Sequence, residues 1–127
     1  MLKKFESINT KQENRITVTG GYAIGFPTKF YLDNNINTFK YGVLFYDEES
    51  LEIGIYFTND DNEKFKYILR HDTKGRGGSL AVKSLLKTLN IVPEDYKGKY
   101  EWEKRLVRDT GDVYVIKLKK RVNKILL

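Results

Sequence analysis

Apolar and polar residues alternate with a period of two over most of this chain, and the period lengthens to that of a helix in one main stretch. Arg15 to Thr19 sets Ile16 and Val18 between polar neighbours, Gly20-Gly21 supplies a turn, and Tyr22 to Phe26 resumes the apolar run. That order predicts a hairpin. Pro27 suits the first position of a short helix over about 27–36, with Phe30, Tyr31 and Ile36 as its apolar stripe and Asp33-Asn34-Asn35 ending it. Strands are predicted next at Tyr41 to Tyr46 and Leu51 to Thr58, joined by the acidic turn Asp47-Glu48-Glu49-Ser50. A further strand, Lys64 to Arg70, puts Phe65, Tyr67 and Leu69 on one face.

Val82, Leu85, Leu86 and Leu89 recur at i, i+3, i+4 and i+7, which predicts the main helix over about 79–90, opening at Ser79 and leaving Leu80 off its stripe. Lys83 and Lys87 then point away from the core, and Pro93 ends the unit. A final strand pair, Lys99 to Val107 and Asp112 to Leu118, turns at Arg108-Asp109-Thr110-Gly111. The expected fold class is α+β, mostly antiparallel β, in a single domain over 1–118. The basic tail 119–127, with its apolar end, is open to fraying, packing as a short helix or docking on a partner.

Ile16, Val18, Gly21, Ile24, Pro27, Lys29, Ile36, Gly42 and the Leu51 to Ile55 strand stand in an order of their own: strand, glycine turn, strand, proline-started helix, glycine, strand, acidic turn, strand. Over Arg15 to Phe57, about a third of the chain, this order resembles the AbrB/SpoVT swapped-hairpin family of DNA-binding regulators and antitoxins. The resemblance implies an intertwined homodimer that places basic loops on DNA, with Arg15 and Lys29 the basic residues at matching positions. The chain departs from the family pattern at Tyr22, where arginine is usual, and at Val43, where aspartate is usual. The second half has no place in the minimal family domain.

Composition narrows the chemistry. The 127 residues contain no cysteine and one histidine, which excludes disulfides, thiolate nucleophiles and zinc-thiolate sites and argues against a histidine relay. No cofactor is called for. Met-Leu-Lys-Lys is followed by Phe-Glu-Ser-Ile-Asn-Thr rather than an apolar stretch, and no apolar run approaches the roughly 20 residues of a membrane helix. A cytoplasmic setting, with no membrane partner, is expected.

Charge is segregated. The net +6 arises wholly within 97–127, which holds 10 bases and 4 acids, while 47–63 holds seven acids and no base and 64–93 holds seven bases and one acid. Segregated positive charge captures polyanions, so nucleic acid, with DNA favoured, is the expected partner. The strongest local signal is Lys64 to Lys87: a basic strand, then His71-Asp72-Thr73-Lys74-Gly75-Arg76-Gly77-Gly78-Ser79, then the helix. A glycine-rich loop that feeds a helix start bares backbone N–H groups, and with Lys74 and Arg76 beside them it suits a phosphate. Ser79 also suits a plain helix cap that needs no ligand.

The expected contact residues are Lys66, Tyr67, Arg70, Lys74, Arg76, Ser79, Lys83 and Lys87, with Lys104, Arg105 and Arg108 of the C-terminal hairpin as a second contact. Tyr67, Tyr100 and Trp102 are the aromatics expected to face solvent, where they would stack on bases. Gly75-Arg76-Gly77-Gly78-Ser79 lacks the Gly-Lys-Ser/Thr ending of a nucleotide-hydrolase loop. His71 and Asp72, being adjacent, point apart, and Glu101-x-Glu103-Lys104 matches a metal-dependent nuclease core only superficially. The expected protein is therefore not an enzyme. The competing reading is a protein-interaction module, such as an antitoxin or a phage-type inhibitor that masks a host protein, and there the acidic 47–63 block imitates nucleic acid.

Overall fold

Ile16–Val18 (β1) and Ala23–Phe26 (β2) form the expected hairpin, paired Thr17 to Gly25 and Val18 to Ile24. The computed structural model describes residues 1–2 and 13–121. Tyr22 holds the left-handed conformation, φ 61°, and the Thr19 N–H donates to the Ala23 carbonyl across the turn. Pro27, which has no N–H to continue the ladder, ends β2 and caps helix Thr28–Asp33 (α1). A single 3₁₀ turn, Ile36–Thr38, follows, and Phe30, Tyr31 and Ile36 are all buried.

Tyr41–Asp47 (β3) and Glu52–Thr58 (β4) pair over their full length. Their turn is fixed by the Asp47 carboxylate, which accepts from the Glu49 and Ser50 N–H groups. The expected strand from Lys64 to Arg70 is two strands. Lys66–Ile68 (β5) pairs with β3, whereas Arg70–His71 (β6) pairs with Gly78–Ala81 (β7), and between them the Leu69 N–H donates to the Lys40 carbonyl. The chain bends here because Leu69, 3% exposed, turns inward while Phe65 and Ile68, 76% and 73% exposed, turn out.

The main helix is shorter than its apolar stripe. Lys83–Thr88 (α2) is helical, but 78–81 is strand β7, so Ser79 pairs with Gly25 on one side and Arg70 on the other instead of capping a helix. Val82, which has no side-chain acceptor, is the cap residue. Pro93 does not end the helical unit but opens a further turn of helix, Pro93–Tyr96 (α3). The C-terminal strand is likewise split at Glu101: Gly98–Tyr100 (β8) pairs with β1, and Trp102–Val107 (β9) pairs with Gly111–Lys117 (β10). Residues 122–127 of the tail lie outside the described residues.

Two antiparallel sheets result, ordered β6-β7-β2-β1-β8 and β5-β3-β4-β10-β9, so the fold is α+β and mostly β as expected. The bent segments β5–β6 and β8–β9 each leave one sheet and enter the other, making both corners of the sandwich from continuous chain. Ile16, Ile24 and Leu80 from the first sheet meet Ile53, Ile55 and Ile116 from the second, all fully buried. One end is filled by aromatic edges: Phe30 lies 5.1 Å from Trp102 and 5.2 Å from Tyr114, centroid to centroid. Among the described residues, no helix is long and apolar enough to cross a membrane.

Candidate nucleic-acid interface

The glycine-rich loop closes the β6–β7 hairpin and does not present a helix N-terminus. Inside it the Gly75 N–H donates to the Asp72 carbonyl and the Asp72 N–H to the Gly77 carbonyl. Gly75 takes φ 67°, a conformation that a side chain resists. The Asp72 carboxylate accepts from the Arg76 N–H and Nε, each at 3.2 Å, and these bonds hold its pKa below the usual carboxylate range. Thr28 of α1 ties the loop down by donating to the Arg76 carbonyl. The loop is thus a braced hairpin tip whose N–H groups are largely spent on itself.

His71 sits at the base of the tip. Its Nε2 lies 2.7 Å from the Phe39 carbonyl, which can only accept, so Nε2 carries the proton. Its Nδ1 therefore accepts from the Tyr31 hydroxyl, 2.6 Å away. Both ring nitrogens are occupied in bracing the hairpin, and neither bonds the Asp72 carboxylate. The sequence marks Tyr31 only as part of the apolar stripe of α1 and gives Thr28 no role, because their partners stand 40 and 48 positions away.

Eight of the expected contact residues fall on the β5–β6 bend, the β6–β7 hairpin and α2. Arg70, Ser79, Gly25, Thr17 and Lys99 are cross-strand neighbours in one rung that spans the first sheet, with bases at both ends and small residues between. Lys74 stands at the hairpin tip, and Lys83 and Lys87, four apart, share the exposed face of α2. Tyr67 donates to or accepts from Ser84 of α2 at 3.0 Å and packs against the core, so it is half-buried and not a free stacking face.

Ion pairing sorts these bases further. Among the described residues, Arg70, Lys74, Lys83 and Lys87 have no carboxylate within salt-bridge distance, although Lys83 Nζ lies 5.8 Å from the centre of the Tyr22 ring, whereas Arg76 is held by Asp72. Lys66 is also engaged: its Nζ donates to the Asp61 and Glu63 carbonyls and lies 5.3 Å from the centre of the Tyr41 ring. The hollow beside the hairpin, about 280 Å³, has Arg70 on one wall and the Asp72 carboxylate on another.

Lys104, Arg105 and Arg108 lie elsewhere. They belong to β9 and its turn, at the opposite end of the second sheet from β5, with three strands between, or roughly 19 Å at the usual strand spacing. Arg105 is clasped by Glu52 and Glu103, which raises its pKa, and Lys104 stacks its ammonium over Tyr114 at 5.4 Å. Tyr100 and Trp102 are not open platforms either. The Tyr100 hydroxyl bonds the Tyr96 and Lys119 carbonyls, and Trp102 Nε1 donates to the Asn14 carbonyl at 2.8 Å.

Among the described residues, no three of the His, Asp and Glu side chains gather closely enough to hold a metal ion. Glu103 and Lys104 face opposite sides of β9, one toward Arg105 and the other toward Tyr114. No protein-family model, curated protein or solved structure matches the chain.

Proposed function

We propose that the chain is a non-enzymatic nucleic-acid-binding protein of the cytoplasm, with DNA the favoured polymer. The observation that supports it is the set Arg70, Lys74, Lys83 and Lys87: four exposed cations without carboxylate partners among the described residues, close in sequence and carried by one hairpin and the helix after it. Unpaired cations keep their full charge for phosphates, while paired ones such as Arg76 and Arg105 must first give up a carboxylate. The Ser79 hydroxyl, beside Arg70 in the same rung, adds a neutral donor. The resemblance over 15–57 points the same way and adds a homodimer to the proposal.

Fluorescence anisotropy with labelled single-stranded DNA, duplex DNA and RNA tests this reading. Four phosphate contacts give a log–log salt slope of about −3 to −4 on duplex DNA between roughly 50 and 200 mM. Absence of binding to all three polymers at about 50 mM salt overturns the reading.

A further inference from the structure

The outer face of the second sheet carries a groove of about 530 Å³ unrelated to the unpaired cations. Its floor is apolar, with Val43, Phe45 and Tyr56 on β3 and β4, and Phe65, 76% exposed, forms one wall. Three carboxylates stand on its rim: Asp60 and Glu63 in the turn after β4, and Asp109 in the turn after β9. Among the described residues none of the three has a basic side chain within salt-bridge distance. An apolar floor ringed by unpaired acids fits a segment that combines bases with apolar side chains and carries no acid.

This chain contains such a segment. Residues 120–127 hold three bases, Lys120, Arg121 and Lys124, four apolar residues, Val122, Ile125, Leu126 and Leu127, and no acid. We propose that the groove receives residues 120–127 of a second copy of the chain. A copy's own segment falls short: Arg121 is anchored at the α3 corner, its N–H donating to the Asp95 carbonyl, beyond the Lys117 end of β10, whereas Asp109 and Thr110 stand at the Gly111 end. The strand alone separates those ends by about 20 Å, and six residues reach at most about 20–22 Å fully extended. A copy's own segment therefore cannot line the groove as far as Asp109, a limit that does not apply to a second copy.

The test is a fluorescein-labelled peptide of residues 119–127 titrated with the full chain, alongside D60N/E63Q/D109N, Phe65→Ser and R70Q/K74Q. Binding that weakens about tenfold in the triple carboxylate variant and in Phe65→Ser, yet is unchanged in R70Q/K74Q, supports the proposal. A Kd weaker than about 1 mM for the parent chain overturns it, as does equal affinity for the carboxylate variant. Sedimentation at low salt gives an independent reading: association must fall in Phe65→Ser, and association that persists there places the contact between copies elsewhere and overturns the groove as its seat. R70Q/K74Q lies on the other sheet, so loss of nucleic-acid binding and loss of peptide binding separate in these variants.

Discussion

The hydroxyl of Tyr31 on α1 donates to Nδ1 of His71 on β6 across 2.6 Å, and the two rings meet edge to face 5.7 Å apart. Tyr31 is 1% exposed, and among the described residues its hydroxyl forms no other hydrogen bond. With the Phe39 carbonyl on the far side of the imidazole, one surface histidine joins α1, the segment before β3 and the base of the glycine-rich hairpin. This seating holds Arg70 and Lys74 in place.

Breaking that bond from its two ends has unequal costs. Tyr31→Phe removes the buried hydroxyl and leaves His71 Nδ1 to water, at about 0.5–1.5 kcal/mol, whereas His71→Leu strands the hydroxyl in the core at about 1–3 kcal/mol. The double variant should cost close to Tyr31→Phe plus the lost Phe39 contact, well below the sum of the single effects. Urea unfolding of the four proteins measures it, and strictly additive costs would refute the coupling.

Leu80 explains why the strand β7 was hidden in the sequence. Val82, Leu85, Leu86 and Leu89 follow a helical stripe, but Leu80 and Val82 also alternate as in a strand, and both are fully buried. The two periods share Val82, and the helical one, having more members, claimed Ser79 as its start. The bends at Leu69 and Glu101 were hidden for a related reason: alternation continues through each corner, and only the identity of the pairing partner changes. The hairpins, the short helix and the fold class rest on local signals and were legible. The pairing of Arg105 with Glu52, 53 positions away, was not, because nothing in either local sequence records the partner.

Gly42 and Gly25 offer a contrast in the two sheets. A Cβ on Gly42 would stand 2.7 Å from Leu80 Cδ1 and 3.2 Å from its Cδ2, and Leu80 is enclosed on all sides. Gly42→Ala should therefore cost about 1–3 kcal/mol through overpacking. A Cβ on Gly25 meets only Thr17, at 3.7 Å, so Gly25→Ala should be neutral or stabilise by up to about 1 kcal/mol through the loss of glycine entropy in the unfolded chain. Thermal denaturation of both variants checks the opposite signs, and equal effects would contradict the packing.

Acid should expose the role of Glu13. Its carboxylate accepts from the Arg15 side chain and N–H and lies 3.3 Å from Lys99 of β8, and these contacts lower its pKa to about 2 from 4.5. A depressed folded-state pKa means that the contribution is complete above the unfolded value of 4.5 and vanishes as pH falls through about 2. Glu13→Gln should melt below the parent at pH 6, and the two curves should converge as pH approaches 2. A gap in melting temperature that stays constant over that range would assign the effect to shape and not charge.

The salt dependence of nucleic-acid binding should separate bases that serve the fold from bases that meet phosphate. Arg70→Gln, Lys74→Gln, Lys83→Gln and Lys87→Gln each remove an exposed cation that pairs with no carboxylate among the described residues, so stability should hold while the duplex salt slope flattens by about 0.9 per variant. Arg105→Gln instead leaves Glu52 and Glu103 without their shared partner, so the melting temperature should fall and the slope should stay. Arg76→Gln is intermediate: it frees the Asp72 carboxylate beside Arg70, which should weaken binding by like-charge opposition to phosphate more than by loss of a contact. Salt titrations paired with melting curves decide between the two classes. A flattened slope in Arg105→Gln with unchanged stability would move the phosphate contact to β9 and away from the hairpin.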